Sequence, residues 1–101
     1  LREKNFGSWE GLPDREVLRR FPDARRGHWG DGESTDEVAR RVIGALLAIA
    51  EAHSGGRVLV VSHGGPLRAV LGHCSVDHPE PILNCHVLRL EVAHGRIAHV
   101  A

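Results

Sequence analysis

Net charge is the first thing this sequence lacks: 13 basic and 13 acidic residues cancel across 101 positions. Without a basic excess, nothing in the balance points to nucleic acid or to an anionic membrane surface. Lysine is almost missing, with Lys4 alone beside twelve arginines. No apolar run approaches the roughly 20 residues that a membrane-crossing helix needs, and the first residues carry no signal or targeting pattern. Cysteine is scarce too. Cys74 and Cys85 are too few for a disulfide framework, so a reduced, cytoplasmic protein is expected. Leu1 rather than Met opens the chain, which leads us to expect that the natural N-terminus lies upstream. No repeat, linker or low-complexity stretch divides the sequence, and its length suits one domain.

What is present is an α/β pattern. Residues 1–12 read as a loop punctuated by Gly7 and Gly11. A short helix is predicted from about Pro13 to Phe21, with Val17, Leu18 and Phe21 at helical spacing and Pro22 as its stop. Residues 22–33 read as an irregular loop. Ser34 and Glu37 form a capping box for a second helix. Its apolar stripe is Val38, Val42, Leu46 and Ile49, and Gly55 and Gly56 end it. Asp36–Arg40 and Glu37–Arg41 are spaced for i,i+4 pairs on its other side. Arg57–Ser62 is predicted as a strand buried on both faces, followed by a helix from Pro66 to about Gly72. After a loop over His73–Leu83, Val87–Val92 and Ile97–Val100 read as a hairpin joined by the turn Ala93-His94-Gly95-Arg96. Three strands are too few to flank and cover Val58–Val61, so at least one further βα unit is expected before this segment.

The residues able to do chemistry concentrate at two places. His63 closes the apolar run Val58-Leu59-Val60-Val61 and precedes Gly64 and Gly65. Glycines there admit a ligand close to the backbone, and the following helix offers N–H groups to an anion. Open α/β sheets carry their chemistry at that end of the strands. A protonated His63 and the Gly64 amide would both donate to phosphate oxygens. The second place is the loop from Leu1 to Gly11, where Glu3 and Glu10 offer carboxylates, one of which could serve as a general acid. Glu33-Ser34 reads as a helix cap with an acid at the positive helix end, and Arg41 as structural, paired with Glu37 or a loop carboxylate. His73, Cys74, His78, Cys85 and His86 cluster in sequence, but their spacing fits no compact zinc pattern.

Read together, three segments resemble the histidine phosphatase superfamily, the phosphoglycerate mutase-like family. Leu1 to Gly11 is similar to its LxExxFGxWEG segment. Gly32-Glu33-Ser34, with Arg41 seven residues after the serine, is similar to its GES…R helix start. Val60-Val61-Ser62-His63-Gly64-Gly65 is similar to its second-histidine motif, and Leu83-Asn84-Cys85 gives a weaker fourth match. The resemblance implies a three-layer α/β/α sandwich, present here as an incomplete fragment: residues 1–101 as the C-terminal part of one histidine phosphatase domain. It implies Glu3 as proton donor to the leaving group. His63 then binds the phosphoryl group and stabilises its charge, with the Gly64 amide assisting. It also implies a phosphohistidine intermediate and no metal or other cofactor. The family's nucleophile lies in an Arg-His-Gly motif, and that triplet occurs nowhere in these 101 residues.

The expected function is a phosphomonoesterase of the two-histidine type acting on a small phosphorylated metabolite. This chain supplies the acid and the second histidine and is inactive alone. Only 20 residues, Leu12 to Asp31, separate the WEG-like and GES-like segments, whereas the family's mutases carry a long insertion there. Phosphoglycerate mutase activity in the parent protein is one alternative, and a non-catalytic phosphate-binding module is another. Arg25, Arg26, His28 and Trp29 are candidates to contact the leaving group or are plain surface residues. No nucleic acid or membrane partner is expected. An exposed sheet edge would favour self-association.

Overall fold

Alternation of apolar stripes with glycine and proline stops gives three α-helices and one hairpin in the computed structural model, which describes residues 1–22, 30–78 and 80–100. The elements are α1 (Asp14–Arg20), α2 (Thr35–Ala52), α3 (Gly64–His73), β1 (Leu90–Ala93) and β2 (Arg96–His99), with a 3₁₀ turn at Gly7–Trp9. They fall into two units, one of Lys4–Ser34 and one of Leu1–Glu3 with Thr35–Ala101. Among the described residues no helix is long and apolar enough to cross a membrane.

The Lys4–Ser34 unit packs around Trp9 and Val17, with Phe6, Leu12 and Leu18 against them. Phe21 stacks on Trp9 with ring centroids 4.6 Å apart. The 3₁₀ turn is held by Asp31, whose carboxylate accepts from the Ser8 amide (2.7 Å) and hydroxyl. Asn5 and Glu33 bracket each other: the Glu33 amide donates to the Asn5 carbonyl (2.8 Å), and the Asn5 amide donates to the Glu33 carboxylate (3.1 Å). Glu33 therefore has a partner that its motif did not suggest. Arg25, Arg26, His28 and Trp29 lie outside the described residues.

In the larger unit, the α2 stripe supplies Val38 and Val42 to a core completed by Val70 of α3 and Ile97 of β2. Leu46, Leu47, Leu90 and Val92 pack around it. The hairpin turn forms as expected. His94 (φ 53°) and Gly95 (φ 72°) both adopt the left-handed backbone that a two-residue type I′ turn requires. The register sets Val92 opposite Ile97 and Leu90 opposite His99, so the inward side chains share one face. The ladder is shorter than predicted on one side and shifted by one residue on the other, although Val100 still donates to the Arg89 carbonyl (2.9 Å).

Two expectations need correction. Arg57–Ser62 is extended but belongs to no β-ladder among the described residues, and the only sheet there has two strands. Leu59 and Val61 are 87% and 84% exposed, where burial on both faces was expected. A strand of this composition is stabilised by neighbours on either side, and none is supplied by the described residues. Val87 is exposed for the same reason. Instead, both runs line an apolar groove of about 1810 Å³, backed by Leu46 and Leu47 of α2 and Val70 of α3. Among the described residues, three helices and a two-stranded sheet are consistent with an incomplete α/β fold.

The second correction is that α3 begins at Gly64, two residues before Pro66. A helix leaves its first N–H groups without an intrahelical partner, so Pro66 fits the third position as well as the first. Its C-terminus closes on Ser75 (φ 56°), with the Val76 amide reaching back to the Leu71 carbonyl (2.9 Å).

Leu71 is 1% exposed. Leu71→Ala is expected to lower stability by about 2–5 kcal/mol in urea unfolding. Leu59→Ala, on the open run, should change it by less than about 0.5 kcal/mol.

Candidate phosphate site

The site is built where the extended run meets α3. His63 is the N-cap residue, extended at φ −133° and ψ 169°, and its side chain makes no capping bond. It is exposed, with its carbonyl accepting the first helical bond from the Leu67 amide (3.1 Å). Gly64 and Gly65 are the first two helical residues, not a loop beside the helix. The expected strand-end histidine is therefore a helix-cap histidine, and the amides beside it belong to the positive end of α3.

Glu3 reaches this helix start. Its carboxylate accepts from the Gly65 amide at 3.3 Å. A Cβ on Gly65 would meet Glu3 Oε1, so a side chain there would displace the carboxylate from its present place. The structure separates the two candidate acids of the opening loop. Glu10 accepts from the nearby Phe6 amide (3.0 Å) and stays within its own turn, whereas Glu3 spans 62 positions to α3. His63 and Glu3 thus flank the same first turn. Gly64 lies between His63 and Gly65 in sequence, with the Ile82 carbonyl 3.9 Å from where its Cβ would be.

Two residues read as structural, or not read at all, support this corner. Arg41 Nη2 donates to the Glu3 carbonyl (2.9 Å), and Ser62 Oγ donates to the Leu1 carbonyl (2.5 Å). The sequence signal for Arg41 was its place three residues after Val38, on the shoulder of the apolar stripe. Ser62 showed itself only as the polar residue ending an apolar run.

A family model described as histidine phosphatase superfamily (branch 1) matches residues 1–101. The chain belongs to this superfamily. It is 40% identical over 79 residues to a metal-independent phosphoserine phosphatase of Arabidopsis thaliana, covering 69% of this chain and 33% of that protein. It is 32% identical over 80 residues to the uncharacterized phosphatase PhoE of Bacillus subtilis, covering 79% and 40%. With phosphoglycerate mutase-like protein 4 of Arabidopsis thaliana the identity is 34% over 98 residues, covering 86% and 43%. The chain therefore spans between a third and less than half of the length of these curated relatives. No solved structure matches it.

Around this histidine phosphatase corner, the other candidate ligands have local roles. The Cys74 thiol lies 3.5 Å from the Ile97 carbonyl, and Cys85 is exposed. His78 and His86 meet edge to face at 5.4 Å, and His78 Nδ1 lies 2.8 Å from the Glu80 carbonyl. Arg68 of α3 donates to the His78 and Glu80 carbonyls at 3.3 and 3.4 Å, tying this loop to the helix that carries the site. Among the described residues no group of three or more His, Cys, Asp or Glu side chains is placed to hold a metal ion.

Perturbed acids lie in the Lys4–Ser34 unit. Glu16 is lowered to about 2 by hydrogen bonds from Arg19 and Arg20. Asp31 is held below its ordinary 3.8 first by the Ser8 hydroxyl and then by the Ser8 amide. A carboxylate lowered in the folded state favours folding above its ordinary value, and that contribution is lost as pH falls through the lowered one. Asp31 is exposed and Glu16 is only half-buried beside exposed arginines, so the effect is small. Acidification below 3.8 should release the Ser8 amide, read as a step in its NMR shift. Asp31→Asn should remove that step and weaken the amide's exchange protection already at neutral pH.

Proposed function

We propose that the protein to which these residues belong is a phosphomonoesterase acting through a phosphohistidine on a small phosphorylated metabolite. The observation that carries this reading is the convergence of His63 and Glu3 on the first turn of α3, in a chain of the histidine phosphatase superfamily. His63, protonated, and the Gly64 amide donate to the non-bridging oxygens and stabilise charge as the phosphoryl group moves. Glu3 gives its proton to the departing oxygen, so that the alcohol leaves neutral. Water then takes the phosphoryl group from the nucleophile. The relatives named as phosphatases support hydrolysis. The 20 residues between Gly11 and Gly32 support it over mutase chemistry, which would need a cap that excludes water.

The nucleophilic imidazole has to come from residues outside these 101, since they hold no Arg-His-Gly triplet. The groove lined by Val58–Val61 and Val87–Leu88 offers apolar surface that a further strand could cover. Water supplies the other reactant, and the chemistry asks for no cofactor. Two free cysteines support a cytoplasmic location. A second reading, a non-catalytic module that binds phosphorylated partners through His63 and Gly64, rests on the exposed His63 at the first turn of α3.

The 101-residue chain should not hydrolyse p-nitrophenyl phosphate. Orthophosphate should still shift the His63 and Gly64 amide signals, and His63→Ala should abolish that response. Turnover by the chain that His63→Ala removes would overturn the division of labour proposed here. With the groove open, size-exclusion chromatography should show association that grows with protein concentration; a concentration-independent monomer would count against an unsatisfied edge.

A further inference from the structure

We infer that Arg41 and Ser62 are positioning residues for Glu3, acting as a two-point latch on the backbone that carries it; the catalytic meaning of the latch rests on Glu3 being the proton donor. Residues 1–3 have no secondary structure of their own. Their place comes from outside the segment. Ser62 Oγ holds the Leu1 carbonyl, Arg41 Nη2 holds the Glu3 carbonyl, and the Leu1 side chain packs against the core of Val38, Val42, Val70 and Ile97. The carboxylate's own bond to Gly65 is the longest of the three at 3.3 Å, against 2.9 Å and 2.5 Å for the backbone anchors. Whatever holds the side chain, the two anchored carbonyls set the Cα from which it projects. Arg41 is half-buried, and its donor is charged, which strengthens the grip on a carbonyl away from water.

The two anchors come from different elements. Arg41 stands on α2 beside Val42, and Ser62 immediately precedes His63. Glu3 is thereby referred both to the helix that sets the core and to the residue next to the phosphate-binding histidine. General-acid transfer requires the donor within hydrogen-bond reach of the leaving oxygen. A misplacement of about 1 Å costs on the order of 100-fold in rate. Neither Arg41 nor Ser62 needs to touch substrate to exert this control.

The test reads the Glu3 carboxylate at its partner, by following the Gly65 amide signal of the full 101-residue chain through an acid titration. In the unmodified chain the amide should show a step that Glu3→Gln removes. Arg41→Met, which keeps length and removes the donor, should cut that step by more than half while the urea midpoint stays that of a folded chain. Arg41→Lys should restore part of it, which a purely structural loss would not do. Ser62→Ala should reduce the step as well, and it serves as the deciding variant if Arg41→Met does not fold. A step of unchanged size in the deciding variant overturns the latch. Orthophosphate binding separates this from the functional reading. Arg41→Met should leave the response of His63 and Gly64 to orthophosphate intact, and its collapse would mean that Arg41 supports the whole pocket, which overturns the proposal. If the unmodified chain ignores orthophosphate, the functional reading fails, while the Gly65 titration still decides the latch.

Discussion

The packing of α2 against α3 is the contact on which the larger unit depends. Val38 and Val42 lie one helical turn apart on α2 and share a core with Val70 of α3 and Ile97 of β2. Fixing α3 by its middle fixes the direction of its first turn, and His63, Gly64 and Gly65 go with it. Arg41 lies on the same α2 turn as these valines, so the helix that sets the core also holds the Glu3 backbone. Core and site are in this sense one construction: the apolar face decides where α3 points, and the polar shoulder of the same helix decides what meets it there.

Legibility in the sequence followed the range of the interactions involved. The α2 stripe, the α1 boundaries and the His94-Gly95 turn are local patterns, and the structure reproduces them closely. Glu3 and His63 were legible through spaced motifs, and the structure brings both to one helix start. Arg41 read as structural, paired with Glu37 or a loop carboxylate; its bond to the Glu3 carbonyl spans 38 positions, a partner that no local spacing specifies. Composition predicts a strand over Val58–Val61, and the run joins no ladder among the described residues. Composition carries no information on whether a neighbour is present, and pairing rather than propensity makes a strand.

Membership of the histidine phosphatase superfamily and this geometry constrain each other usefully. The family supplies a chemistry with a donor, a phosphate ligand and a nucleophile. The chain carries residues matched to the first two and none matched to the third. The Glu3 carboxylate rests on a helix amide two residues after His63, where in the proposed reading an acid could approach an anion without repelling it. The positive end of α3 offsets the charge of both.

The open run also has a consequence for solubility. Val58-Leu59-Val60-Val61 combines strong β-propensity, no charge and no proline, the composition of an aggregation-prone window. It is bounded by Arg57 on one side and by Ser62 and then His63 on the other. Charged residues flanking an unavoidable hydrophobic strand act as gatekeepers against stacking of like segments. Arg57 carries its charge at any working pH, while an imidazole carries one only when protonated. The residue that caps α3 therefore also helps to guard one end of the stickiest segment in the chain.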